Sequence, residues 1–240
     1  MQRVCFLLIV FLLLKALPVD ASFLLSDSIV RDNLIRHTTD FRFREGFFLN
    51  FEQVKNNRPI PKSRILTSID HRSNTFFDQI TESRTITYFD DFGNSQDFET
   101  NRLWGYSKNG ILYINIQGNF NRITIVGSIC HFVATITTFT SRYSSPYHSP
   151  YGFSPYSHGY GYSSFGYGSP GHRTTELRQF LLNFETGQVF EYDTRSVKLL
   201  LMPDPELHDE YTSLRNRRQQ QLRFNFVRRF NERHPLYIPK

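Results

Sequence analysis

The chain has 240 residues, of which 39% are hydrophobic and 16% aromatic, and its formal net charge is +6. This length suffices for one domain with a hydrophobic core of its own. A disulfide-rich scaffold is excluded, because Cys5 falls within a predicted export signal and leaves Cys130 as the other cysteine.

Residues 1–21 have the composition of a cleavable export signal. Arg3 supplies a basic start, residues 4–14 form an apolar run, and residues 19–21 (Val-Asp-Ala) form a small-residue cleavage site. An uncleaved membrane anchor is the weaker interpretation. A helical span needs about 20 apolar residues, and Lys15 interrupts this run.

The predicted signal also bears on localisation. Cys5 lies inside it and away from the cleavage site, so no lipid anchor is predicted. No later apolar run reaches transmembrane length. We therefore expect an exported protein of the periplasm or cell surface, with a single domain over residues 22–240.

Two short helices are predicted near the N-terminus. The first covers residues 28–36, with its apolar side chains facing inward. The second follows Asn50, whose side chain can cap it, and Gln53 completes a capping box three residues later. Pro59 lies beyond its end, where proline stops a helix.

The centre of the predicted sheet lies between residues 103 and 137. Asn109-Gly110 separates two apolar runs and indicates a two-residue hairpin turn, because both residues tolerate positive φ. That turn places Tyr106 opposite Tyr113. The expected faces are Leu103, Leu112, Ile114 and Ile116 on one side, and Trp104, Tyr106, Ile111 and Tyr113 on the other.

Further strands are predicted on both sides of this hairpin. They cover residues 74–80, 84–89, 121–126, 129–137, 177–184 and 189–192. A turn is expected at residues 90–94. The last two strands form a second hairpin, in which Gly187 can take a left-handed conformation.

Residues 138–173 differ from the rest of the chain in composition. They are mostly Ser, Tyr, Pro, Gly, Phe and His, with almost no aliphatic side chains. Such a segment buries too little apolar area to offset its ordering entropy, so we predict a disordered loop between neighbouring strands. It is either a tolerated insertion or a source of aromatic side chains that stack on a glycan or partner surface.

Two helices are predicted in the C-terminal region. The first covers residues 194–201. The second begins at Asp204, where an acidic N-cap is followed by Pro205 at the first helical position. No breaker occurs before His234-Pro235, so the second helix is expected to form a rod of about 45 Å.

This second helix is acidic at its start and basic afterwards. The arginines of its basic stretch, which contains no acidic residue, are Arg215, Arg217, Arg218, Arg223, Arg228 and Arg229. In the simpler interpretation, this order complements the helix dipole. In the alternative, an arginine face binds an anionic envelope polymer. At 100° per residue, Arg215, Arg218 and Arg229 fall on one side and are the candidate polyanion contacts.

No catalytic, metal or cofactor site is predicted. Cys130 and His131 are neighbours in a predicted strand and point to opposite faces, so they cannot form a Cys–His nucleophile. The eight histidines lack metal-binding spacing, and no nucleophile elbow or phosphate loop occurs. Asp90 and Asp91 are interpreted as turn formers.

Four sequence segments carry a family resemblance. They are GFFLNFEQVKNNRP (46–59), LWGY (103–106), LNFETGQVF (182–190) and NERHPLY (231–237). Together they resemble a family of exported, functionally uncharacterised proteins of the Bacteroidetes type. The resemblance implies export and a shared fold but no catalytic residue. The Trp104 hairpin is also similar to one unit of the WG β-repeat, although no second copy follows.

These patterns predict an α+β fold, with a mainly antiparallel sheet of about six to eight strands and a long C-terminal α-helix packed against it. The leading hypothesis is an exported, non-catalytic structural or interaction protein of the bacterial cell envelope. Its partner would be another envelope protein or an anionic envelope polymer, and nucleic acid is not expected. The alternative is a hydrolase acting on an envelope or dietary glycan or peptide.

Overall fold

A computed structural model describes residues 34–140 and 172–240. The predicted export signal and residues 141–171 of the predicted loop lie outside the described residues. The chain divides into two compact units, one of residues 36–238 and one of residues 1–35 with 239–240. Of the second unit, the structure describes only residues 34, 35, 239 and 240.

Strands and short helices alternate through the first half of the described chain, and three helices follow one another near its C-terminus. The elements are β1 (Leu34–Arg36), β2 (Gly46–Phe48), α1 (Phe51–Lys55), β3 (Ile65–Leu66), α2 (Phe76–Glu82), β4 (Thr85–Phe89), β5 (Ser95–Glu99), β6 (Gly105–Lys108) and β7 (Ile111–Ile116). They continue with β8 (Asn119–Ile125), β9 (Ile129–Thr140), β10 (His172–Asn183), β11 (Val189–Glu191), α3 (Thr194–Leu201), α4 (Pro205–Ser213), α5 (Asn216–Arg233) and β12 (Tyr237–Pro239).

Seven strands form one antiparallel sheet in the order β11-β10-β9-β8-β7-β6-β2. The strands β3, β4 and β5 form a second antiparallel sheet. The predicted α+β class is confirmed, and α5 packs on the large sheet through Phe226, Val227 and Phe230. Within residues 34–140 and 172–240, no helix is long and apolar enough to cross a membrane.

The central hairpin has the predicted register. Tyr106 pairs with Tyr113, and the turn residues Asn109 and Gly110 have φ values of 54° and 77°. The prediction for the two preceding residues is wrong, because Trp104 packs with Ile114 and Leu103 packs with Tyr106. Strand β6 begins only at Gly105, so the alternation of faces does not extend back to either residue.

The large sheet curls around its inner face. The buried side chains of this inner core include Phe48, Leu112, Ile114, Phe132, Phe180 and Leu182. Strands β2 and β11 are at opposite ends of the sheet, yet α1, which follows β2, contacts the turn between β10 and β11. The ring centroids of Phe51 and Phe184 are 5.5 Å apart, and Lys55 Nζ donates to the Glu185 carbonyl at 3.1 Å. Helix α1 therefore bridges the two edges.

Two further apolar clusters cover the outer face. Helices α3, α4 and α5 pack over β9 and β10, where Ile129 and Leu181 are buried against Leu201 and Phe226. Helix α2 and the small sheet cover β2 and β6, where Phe47 and Tyr106 meet Phe77. The expectation of a sheet that is apolar on both faces is confirmed.

Two predicted elements have the wrong secondary structure. The strand predicted at residues 74–80 is wrong, since these residues contain most of α2, in which Phe76, Phe77 and Ile80 have helical spacing and are all buried. Of the predicted helix 28–36, the described part is the strand β1. The predicted loop 138–173 is also too long, since residues 138–140 and 172–173 belong to paired strands.

The predicted rod from Asp204 to His234 is wrong, because it is broken between α4 and α5. Leu214 is extended at the break, and Gln219 of α5 donates through Nε2 to the carbonyls of Tyr211 and Leu214 at 3.1 and 2.8 Å. In return, the Tyr211 hydroxyl donates to the Gln219 carbonyl at 3.0 Å. The chain therefore folds back, so that both helices bury apolar side chains in one cluster.

Candidate functional site

A cleft of about 700 Å³ lies beside the point where α1 meets the β10–β11 turn. Four separate segments line it. They are residues 49–51 at the start of α1, residues 101–104 before β6, Asn115 to Gly118 at the end of β7, and residues 186–188 in the β10–β11 turn. Since each segment is a turn or the end of an element, its position depends on local hydrogen bonds.

Helix capping fixes the first wall. The Gln53 N–H donates to Asn50 Oδ1 at 3.0 Å, and Gln53 Oε1 accepts from the Leu49 N–H at 2.7 Å. The predicted capping box is confirmed, although Gln53 reaches one residue further back than expected. The Asn50 oxygen is therefore occupied, while its amide nitrogen has no partner among the described residues.

Asn115 joins the second and third walls. Its Nδ2 donates to the carbonyls of Asn101 and Leu103 at 2.9 and 3.0 Å, and its Oδ1 accepts from the Gly118 N–H at 2.9 Å. The adjacent Gln117 accepts from the Thr137 N–H through Oε1 at 2.9 Å. These bonds hold the β7–β8 turn against the segment before β6.

The fourth wall is the β10–β11 turn. The Gly187 N–H donates to the Asn183 carbonyl at 2.8 Å, and the Asn183 side chain accepts from the Glu185 N–H at 2.9 Å. Gly187 has a φ of 76°, as predicted for this turn. A side chain at this position would collide with the Phe51 ring, so glycine allows the wall to approach α1.

Trp104 lies at the junction of the cleft and the inner core. Its side chain is only 4% exposed, and its ring centroid is 6.3 Å from that of Phe48 and 5.8 Å from that of Phe51. The buried indole N–H has no hydrogen-bond partner among the described residues. An unpaired buried donor is uncommon, and because this nitrogen itself is buried, a ligand in the cleft reaches it only if the indole moves.

The described lining of the cleft is rich in amides. The polar side chains, apart from the indole of Trp104, are Asn50, Asn101, Arg102, Asn115, Gln117, Thr186 and Gln188. The described lining contains no carboxylate, histidine or cysteine. The described lining therefore offers amide donors and acceptors to a polar molecule, beside one exposed cation, Arg102.

A second cavity of about 330 Å³ contains Ser128 and His234. His234 Nε2 contacts Asp204 Oδ2 at 3.0 Å, but Ser128 Oγ donates to the His234 backbone carbonyl at 2.6 Å rather than to the imidazole. The Leu207 N–H, followed by His234 and Arg233, lowers the pKa of the Asp204 carboxyl. This network caps α4 and joins it to the end of α5, and its serine is not activated by the histidine.

The three candidate polyanion contacts differ in how far the protein already uses them. Both guanidinium nitrogens Nη1 and Nη2 of Arg229 donate to the Glu210 carboxylate at 2.6 Å. Arg215 is the N-cap of α5, and Arg218 lies in its first turn. Both are exposed and form no ion pair with a described residue. Polyanion binding by Arg215, Arg218 and Arg229 therefore stays a prediction, and of the three Arg229 already pairs with Glu210.

The remaining sequence candidates are structural. Cys130 is buried in the inner core, and burial raises the pKa of its thiol to about 12. His131 lies on the other face and contacts Gln179 at 3.0 Å, so the two cannot act together. Asp90 accepts from the N–H groups of Phe92 and Asn94, as expected of a turn former. Among the described residues, no group of three or more acidic, histidine or cysteine side chains could hold a metal ion.

Sequence reasoning missed the cleft, although it singled out three segments that build it. The capping box, the Trp104 hairpin and the Gly187 turn are each interpretable as local structure alone. Their shared signal is that each places polar residues beside an aromatic residue or glycine at the end of an element. Only the curl of the sheet brings them together.

Comparisons with known proteins gave one match. A model of a family of unknown function (DUF6563) matches residues 46–234, which covers the four walls of the cleft and most of the described chain. No curated protein and no solved structure matches the chain.

Proposed function

The chain belongs to a family of unknown function, DUF6563, and from this premise we propose that it is an exported, non-catalytic binding protein of the bacterial cell envelope. Its ligand would occupy the cleft between α1, the β7–β8 turn and the β10–β11 turn. Export is supported by the signal-like composition of residues 1–21. The envelope location rests on the same segment and on the resemblance of the four sequence segments.

The observation that carries the binding role is the construction of the cleft. Its volume of about 700 Å³ lies within the roughly 300–1,000 Å³ that small-molecule sites occupy. Each wall is fixed by hydrogen bonds that do not involve a ligand, so the cleft is formed in advance. The described lining offers amide groups and apolar rings but no acid–base group.

The chain provides its own reporter for a test of this role. Trp104 is the single tryptophan and lines the cleft, so its fluorescence, excited selectively over that of the tyrosines, reports on the cleft and the adjoining inner core. We expect a saturable fluorescence change when the protein without residues 1–21 is titrated with a library of saccharides and short peptides. The ligand recovered by chromatography should be unchanged.

A variant and a matched control locate the binding. Thr186→Phe introduces a ring into the cleft and should abolish the fluorescence change, whereas Thr174→Phe, at an exposed position on β10, should leave it intact. Binding that survives Thr186→Phe would contradict a role for the cleft. Cleaved products would contradict the non-catalytic role and favour the hydrolase hypothesis.

A further inference from the structure

The polar groups of the cleft differ in how far the protein already uses them. Both the nitrogen and the oxygen of the Asn115 side-chain amide form hydrogen bonds with backbone groups. Asn50 and Gln117 use their oxygens, as acceptors from the Gln53 and Thr137 N–H groups. The side chains of Asn101 and Gln188 have no hydrogen-bond partner in the described parts of the chain.

The amide side chains of the cleft therefore have more unused hydrogen-bond donors than unused acceptors. An amide whose oxygen accepts a backbone bond keeps an NH₂ group with two donors, and its orientation is fixed by that bond. Asn50 and Gln117 are of this kind. Asn101 and Gln188 retain both functions.

Ligand classes differ in how well they satisfy such a site. A saccharide supplies adjacent hydroxyls, each of which can accept from a fixed NH₂ group and also donate to a free amide oxygen. An extended peptide presents as many N–H donors as carbonyl acceptors, and its donors would be left unpaired against Asn50 and Gln117.

The charge and the shape of the cleft also favour a saccharide over a peptide. Arg102 is the only charged side chain in the described lining, and it lies at the exposed rim, 5.8 Å from the centroid of the Phe98 ring. Phe51 is half-buried and lines the cleft. An aromatic face of this kind can pack against the C–H groups of a sugar ring.

Resting on the binding role proposed above, we infer that the ligand of the cleft is a neutral saccharide. Its hydroxyl oxygens accept from the fixed amides of Asn50 and Gln117, and adjacent hydroxyls exchange hydrogen bonds with Asn101 and Gln188. One apolar face of a sugar ring lies towards Phe51.

The test uses the protein without residues 1–21 and three kinds of probe. They are neutral trisaccharides (chitotriose in its N-acetylated form, cellotriose and maltotriose), the acidic trisaccharide trigalacturonate, and uncharged capped tripeptides. Binding is measured by Trp104 fluorescence and, independently, by titration calorimetry. We expect at least one neutral trisaccharide to bind saturably, and more tightly than any acidic or peptide probe.

Two variants remove the free amides at exposed positions, where folding should be unaffected. Gln188→Leu and Asn101→Leu should each weaken trisaccharide binding about tenfold, as expected for one lost side-chain hydrogen bond. The matched controls Gln221→Leu and Asn225→Leu, at exposed positions on α5, should bind like the wild type.

The outcomes separate the two proposals. Saturable binding of tripeptides without any response to saccharides would overturn the saccharide inference and leave the binding role standing. Preference for trigalacturonate, lost at high salt, would overturn the neutral class. An equal affinity of both amide variants and wild type would also overturn the inference, and no response to any probe by either method would contradict both proposals.

Discussion

The α-carbon of Gly187 lies so close to the Phe51 ring that a Cβ built on it would be 2.7 Å from Phe51 Cγ. One contact thus joins the turn at one edge of the large sheet to the helix beyond the other edge. Because Gly187 also has a φ of 76°, both its missing side chain and its left-handed backbone are required.

Gly187→Ala should therefore destabilise the protein for two reasons that can be separated. The left-handed backbone costs about 1–2 kcal/mol with a side chain, and the collision with Phe51 adds about 1–3 kcal/mol. Gly93→Ala is the matched control, because Gly93 has a similar φ of 82° and no atom near its Cβ position. Urea unfolding should show a larger loss for Gly187→Ala. Equal losses would contradict the contact, and Phe51→Ala should abolish the difference.

The hairpin between α4 and α5 should depend on the amide of Gln219. Gln219→Leu removes the donor shared by the Tyr211, Thr212 and Leu214 carbonyls, with an expected loss of about 2–3 kcal/mol in the free energy of unfolding. Gln221→Leu changes an exposed residue of the same helix and should alter stability by less than about 0.5 kcal/mol. Similar stabilities of the two variants would show that apolar packing alone determines where the chain turns between α4 and α5.

Stability should fall in acid partly because of Asp204. Its pKa is lowered in the folded state by the Leu207 N–H and by His234 and Arg233, so the carboxylate stabilises the fold above its ordinary pKa. This contribution is lost as the pH falls below about 4 and the group is protonated. Asp204→Asn keeps a capping oxygen and removes the charge, so it should flatten the acid limb of a stability–pH curve.

Glu99→Gln is the control for that measurement, because Glu99 is exposed and forms no hydrogen bond with a described residue. Its acid limb should match that of the wild type. If Asp204→Asn and the wild type lose stability in parallel as the pH is lowered through the ordinary carboxyl range, the network around Asp204 does not contribute to the pH dependence.

The remaining basic surface of α5 can be tested on an anionic polysaccharide column. The polyanion hypothesis predicts that the wild type elutes at a slightly higher salt concentration than Arg215→Ala/Arg218→Ala, since exposed arginines give a weak, strongly screened attraction. Leaving Arg229 unchanged preserves its ion pair with Glu210. Equal elution of the two proteins would contradict the polyanion hypothesis.

Export predicts a defined processed terminus. Expressed with residues 1–21 in a bacterium, the protein should be recovered outside the cytoplasm with Ser22 as its first residue, as measured by intact mass. Replacing residues in the apolar run 4–14 with charged ones should block this processing. Recovery of the full-length chain in the cytoplasm would contradict both the export signal and the envelope location.

Local signals explain which parts of the fold could be predicted. The cap at Asn50, the helix of residues 194–201 and the Asn109-Gly110 turn each depend on signals within a few residues, and all three predictions are confirmed. The strand predicted at residues 74–80 failed because a short apolar run fits a buried strand or a buried helix equally well.

The break in the rod and the cleft depend on contacts that no local pattern encodes. At Leu214 nothing in the sequence opposes a helix, and the fold-back is set by Gln219 and by a shared apolar cluster. The cleft unites four segments through the curl of the sheet. Polar residues such as Asn101 and Gln188 look like ordinary loop residues until that curl is known.

The bridge made by α1 also constrains when the cleft can exist. Lys55 and Glu185 are separated by 130 positions, so closure of the curled sheet must await synthesis and pairing of β10 and β11. Contacts of such long range form late in folding and slow it. Conversely, release of α1 would erase the cleft while the β9–β10 ladder and the three C-terminal helices persist. Ligand affinity should therefore be lost before the bulk of the fold.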